Sequence, residues 1–184
     1  MKKTNNKGFS LVELIIVIAI MAILAGAIAP ALIRYIDKSR KSNDVSAAKT
    51  IKTAIETVMS NETAYEALTA LPASGSAASI TDLDGNVIKY AGKIKIAPND
   101  STAGAVNITS NDANANLTDA QAEIKKNIGE KTPKISYKKK ADDTHQPAAF
   151  YAYISEGGSV VVGLAKADGT DFYQLAPTVS KYYQ

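Results

Sequence analysis

Residues 7–30 read KGFSLVELIIVIAIMAILAGAIAP, with Lys2, Lys3 and Lys7 in the basic leader around their start. From Leu14 to Ile33 there are twenty residues without a charge. At about 1.5 Å per residue a helix of that length spans about 30 Å, the thickness of a bilayer's hydrocarbon core. One carboxylate, Glu13, stands at the lip of this segment. An acid deep in a bilayer costs roughly 2.5–3.5 kcal/mol on insertion scales, so such acids are usually paired or functional. Solvation of Glu13 by headgroups at the interface is the plainer alternative, and this position alone admits both.

Three readings of the N-terminus compete. A secretory signal peptide needs a charged start, a short apolar stretch and a small-residue cleavage site, which Ala25-Gly26-Ala27 could supply. Against it, the apolar run continues to Ile33, and the next such site, Ala27-Ile28-Ala29, is followed by Pro30. A plain transmembrane anchor fits by length. The third reading rests on GFSLVEL: a glycine ending a short hydrophilic leader, an aromatic after it, and an acid four residues beyond. Here these are Gly8, Phe9 and Glu13, followed by the unbroken apolar run and Pro30. In those features the chain resembles a type IV prepilin with a class III-type leader.

That resemblance carries definite implications. A membrane prepilin peptidase would cut between Gly8 and Phe9 and methylate the new Phe9 amine. Glu13 would pair with the N-terminal amine of an adjacent subunit and set the stagger of a homopolymer built on a pilus assembly platform. The precursor would lie in the cytoplasmic membrane and the assembled subunit in an extracellular pilus. The same helix serves the pseudopilins of type II secretion or DNA-uptake systems. A membrane-anchored binding protein or secreted enzyme with a look-alike N-terminus belongs to a different class.

The formal net charge is +3 over 184 residues. Removal of residues 1–8 takes three lysines, so basic side chains fall to 18 against 18 acidic ones. The basicity belongs to the leader and marks no nucleic-acid surface. Its expected role is topological, though Arg34, Lys38, Arg40 and Lys41 crowd the other end of the span. There is no cysteine, so no disulfide can staple an exported domain. In this the chain looks like the cysteine-free pilins of Gram-positive bacteria. Core packing must supply the stability, and about 110 residues beyond the helix are enough for one modest domain.

Between Ile33 and Leu71 there is neither Pro nor Gly, and Ile51, Ile55, Val58, Met59, Tyr65 and Leu68 recur at helical spacing. The pattern predicts one helix from about Phe9 to between Ser60 and Ala70, bent or loosened near Gly26 by Pro30. The expected organisation is a cleaved leader (1–8), a hydrophobic helix (9–33), its amphipathic continuation (34–70) and a β-rich head (71–184). Asp84-Gly85-Asn86 predicts a hairpin between 80–83 and 87–90, and Lys93–Ile96 alternates like a half-buried strand. Residues 99–116 read mostly as surface loop. Thr118-Asp119-Ala120-Gln121 resembles a capping box opening a helix that Gly129 ends. Segments 149–154, 159–164 and 172–175 predict an antiparallel meander with one polar face, its apolar face covered by the amphipathic half-helix. The fold class is α+β, pilin-like.

Little here suits a reaction. His145 is the single histidine and reads as a loop residue, no thiol exists, and the glycines fall in turns. No cofactor is implied, and the chain reads as a structural subunit, not an enzyme. Asp82, Asp84 and Asn86, and Asp168 with Asp171, have alternating oxygen spacing but miss the twelve-residue calcium loop, so turns are the first reading and calcium a minor one. Asn61, Asn107 and Asn116 each open an N-x-T tripeptide, a weak glycosylation pattern. Lys138–Lys140 reads as a solvated run. Small residues Ala22, Ala25, Gly26 and Ala29 would let neighbouring helices approach closely.

Overall fold

The computed structural model describes residues 9–71, 76–97, 106–110, 117–129, 132–137 and 146–184. It divides into two compact units, residues 1–39 and 40–184. Helix α1, Leu11–Val58, belongs to both. In the first unit all the described residues but Asp37 are exposed. The 18-residue window that qualifies α1 as long and apolar enough to cross a membrane is wholly unburied.

The second unit is a helix layer, a sheet and a covering hairpin. Within α1, Asp44, Ala48, Ile51, Ile55 and Val58 are buried, a four-three-four-three spacing that puts them on one helical face. The sheet has the order β4-β3-β5-β6-β7, all neighbours antiparallel, from strands Gly92–Ile96 (β3), Val106–Ser110 (β4), Ala149–Ile154 (β5), Val160–Ala165 (β6) and Tyr173–Ala176 (β7). Register aligns Ile94, Ala152 and Val162, and beside them Ile96, Phe150 and Leu164. These six pack with Ile51, Ile55 and Val58 of α1 in one core, joined by Leu68 from α2 (Glu62–Thr69) and Ile124 from α3 (Thr118–Ile128). The expected α+β architecture, a long helix with an apolar start and a continuation packed on an antiparallel sheet, is the one observed.

Several local expectations fail for identifiable reasons. The single helix to residue 60–70 is two: α1 ends at Val58 and α2 starts at Glu62. Asn61 divides them, its side-chain oxygen accepting the N–H groups of Thr63 (3.0 Å) and Ala64 (3.4 Å) as an N-cap. Val106–Ser110, expected as loop, is an edge strand paired antiparallel with β3. The first hairpin strand, β1, is Ala78–Thr81, two residues earlier than expected; it pairs with β2, Val87–Tyr90. Asp82 stops it by turning its carboxylate onto the backbone. α3 starts at Thr118 with Leu117 at the N-cap, one residue before the expected capping position, and Gly129 ends the helix at φ 100° with its N–H on the Lys126 carbonyl.

The expected polar face of the sheet is also wrong. Tyr151, Tyr153 and Phe172 are buried there with Ala149 and Ala165, under Ile80, Ile88 and Tyr90 of the β1–β2 hairpin. Tyr153 lies between the Tyr90 and Phe172 rings, at 4.8 and 5.0 Å between centroids. Lys93 and Lys95, which supplied the apparent polar alternation, lie along the Tyr151 ring at 5.0 and 5.8 Å. Lys95 also donates to the Ala167 carbonyl. Their stems cover aromatic surface while the charge finds acceptors. Gly163 permits this packing: a Cβ there would stand 2.6 Å from the Phe172 ring and collide with the Tyr173 carbonyl.

Candidate assembly site

Ser10, which precedes the first residue of α1, donates its backbone N–H to Glu13 Oε2 at 2.8 Å, and Leu14 N–H bonds the Ser10 carbonyl at 3.2 Å. This is the Glu-to-backbone half of an S-x-x-E capping box. The carboxylate lies in the first turn, where the helix dipole favours negative charge. Glu13 therefore has a local partner that the first reading missed, although Ser10-Leu11-Val12-Glu13 carries the signal. The contact is compatible with further pairing, because a carboxylate has two oxygens and about four acceptor positions.

Phe9 precedes the cap and is 86% exposed; Gly8 lies outside the described residues. Pro30 sits inside α1, which continues on both sides of it. At Gly26 a Cβ would meet nothing within 4 Å. The structure thus gathers Ser10, Glu13 and the exposed Phe9 at one helix end, with Pro30 on the same exposed rod.

The other candidates resolve into turn chemistry. Asp82 Oδ1 accepts the N–H groups of Asp84 (3.0 Å) and Asn86 (2.7 Å), and Oδ2 accepts from Asn86 Nδ2 (2.8 Å). Asp168 accepts the N–H and hydroxyl of Thr170, which hold its carboxyl below the ordinary carboxylate range. Asp171 pairs with Lys166. Among the described residues no group of three His, Cys, Asp or Glu side chains is placed to hold a metal. Asn61 is the α2 cap and Asn107 lies in β4; Asn116, Lys138–Lys140 and His145 fall outside the described residues.

Comparison with known proteins bears on the exposed rod. Residues 3–29 match the family described as the prokaryotic N-terminal methylation motif. The chain is similar to type IV major fimbrial proteins FimA of Dichelobacter nodosus. One is 44% identical over 57 residues, 31% of this chain and 36% of the relative. Another is 46% identical over 55 residues, 30% and 35% of the two chains. The match thus spans about a third of the length of these fimbrial relatives. No solved structure matches.

Proposed function

We propose that this chain is a structural subunit of a type IV pilus, cut between Gly8 and Phe9 by a prepilin peptidase, methylated at the Phe9 amine and polymerised through its N-terminal helix. The carrying observation is Glu13 in the first turn of a helix whose membrane-length window is wholly unburied. Such an apolar rod needs lipid or other helices around it. A staggered array of one subunit has heterologous contacts that need not close, so it grows as a filament. A methylated amine stays cationic, and opposite charges removed from water hold register where unpaired charges are costly. The subunit would wait in the cytoplasmic membrane and act in an extracellular pilus. The name of the fimbrial relatives supports a major subunit. A pseudopilin of a secretion or DNA-uptake machine, with the same helix and a short filament, is the second reading; subunit copy number separates the two.

Glu13→Ala and Glu13→Gln test the mechanism. Both variants are expected to be inserted and processed, with mass spectrometry giving an N-methylated Phe9 terminus, while filament yield drops sharply and processed subunit accumulates in the membrane. Wild-type filament yield and length from Glu13→Ala alone would overturn the role of the carboxylate. A mature terminus at Ile28 would overturn the processing route and with it the pilin reading.

A further inference from the structure

Asp44 is a carboxylate buried to 0% exposure on the face of α1 that otherwise carries Ala48, Ile51, Ala54, Ile55 and Val58. Its two oxygens accept backbone N–H groups from a segment 92 and 93 residues away: Ser136 to Oδ1 at 2.6 Å and Tyr137 to Oδ2 at 2.9 Å. One turn earlier, Lys41 Nζ donates to the Tyr182 carbonyl at 2.5 Å and stands 5.3 Å from both the Tyr137 and Tyr182 rings. Two chain segments therefore meet α1 within one turn. None of this is used by the proposed assembly chemistry at Glu13.

The apolar stripe recurs every turn, so it separates one axial seating of α1 on the sheet from the next only by side-chain size. A shift of one turn puts Ile51 in the place of Ile55, the same side chain, and Ala54 and Ile55 near the place of Val58. The same step brings Ala47 or Ala48 to the place of Ile51 and Ala54 to that of Val58, which costs apolar contact but leaves no polar group unpaired. Asp44 changes everything at that step, because it leaves two buried N–H donors without acceptors and takes a carboxylate into a site without donors. From this juxtaposition we infer that Asp44 is a register key: it selects one axial seating of the second unit's sheet and loops on the α1 face.

Burial also acts on the carboxyl group itself. Burial raises its pKa from the ordinary value, and the bonds from Ser136 and Tyr137 offset that only in part. A group whose folded pKa is raised stabilises the fold most below its unfolded value, and that contribution is lost as pH rises through the folded value. Specificity is the better-attested use of a buried polar group of this kind.

The test uses the full chain in detergent micelles and compares wild type with Asp44→Leu and Asp44→Asn. The leucine variant leaves the Ser136 and Tyr137 N–H groups without their acceptor and is expected to exchange those amides at least tenfold faster. It should also show a second set of amide signals for Ala48, Ile51 and Ile55. The asparagine variant keeps shape and one acceptor but presents N–H to one of the two donors, so one of the two amides should lose protection. A single set of signals with wild-type protection at both amides in Asp44→Leu overturns the inference. If that variant does not fold, Asp44→Asn decides, and unchanged protection at both amides overturns it. These readouts need no filament, so they fail or succeed independently of the pilus reading.

Discussion

Ile18 and Ile55 are the same side chain on the same helix, yet Ile18 is 56% exposed and Ile55 wholly buried. Around Ile18 the helix is apolar on every side and has no partner among the described residues. Around Ile55 the helix presents one apolar stripe, and a sheet, a second helix and a third helix cover it. An all-round apolar surface cannot be satisfied by one neighbouring layer, whereas a stripe can. The first unit therefore needs an environment outside its own chain, and the second makes its environment from its own sequence.

The contrast is broken most directly at those two isoleucines. Ile55→Ala is expected to cost the second unit roughly 2–5 kcal/mol, from lost transfer energy plus a cavity. Ile18→Ala should change the unfolding of that unit by no more than about 0.5 kcal/mol, the range of ordinary surface sites. Denaturant unfolding of the full chain in micelles, followed by the tyrosine signal, checks both, and equal effects would abolish the distinction.

The glycines sharpen it. Gly163→Ala forces a methyl into the Tyr173 carbonyl and the Phe172 ring, and overpacking of this kind costs about 1–3 kcal/mol or more. Gly26→Ala meets nothing within 4 Å and should strengthen its helix by up to about 1 kcal/mol through propensity alone. Opposite signs are expected, the first read by melting of the second unit and the second by helical circular dichroism.

A smaller effect is expected where α1 gives way to α2. Asn61→Ala removes the acceptor for the Thr63 and Ala64 N–H groups and should cost about 1 kcal/mol. Hydrogen exchange should quicken in Glu62–Thr69 before it does in β5 and β6; uniform quickening would show that α2 does not open separately. The smallest effect belongs to Lys52 and Glu56, an exposed i,i+4 ion pair. Lys52→Ala should change stability by about 0.3–0.5 kcal/mol, and added salt should erase most of that difference.

The order in which features could be read follows their physical range. The span, its flanking lysines and Glu13 are properties of consecutive residues, so length, charge and spacing revealed them. The stripe at Ile51, Ile55 and Val58 was equally legible, because helical periodicity records which face is covered without naming the cover. The Ser10–Glu13 bond was present in the sequence as S-x-x-E, but the functional pull of Glu13 hid its local role. Asn61 was hidden in a similar way, its tripeptide suggesting glycosylation before a helix cap.

The β1–β2 hairpin was recognised by its turn, whereas its seat on Tyr151, Tyr153 and Phe172 was not. Lys93 and Lys95 made β3 look half-solvated, although their stems lie on aromatic rings.

What the sequence by itself determined is the exposed apolar rod with its lone acid and the helix-on-sheet class of the second unit. Those depend on patterns repeated every few residues, which survive in one dimension. Only the tertiary structure decided that the sheet is covered on both faces, that Val106–Ser110 is its edge strand, and that Asp44 meets Ser136 and Tyr137. Each is a contact between segments far apart in the chain. Its energy depends on simultaneous burial and hydrogen-bond geometry, which no local window of residues contains.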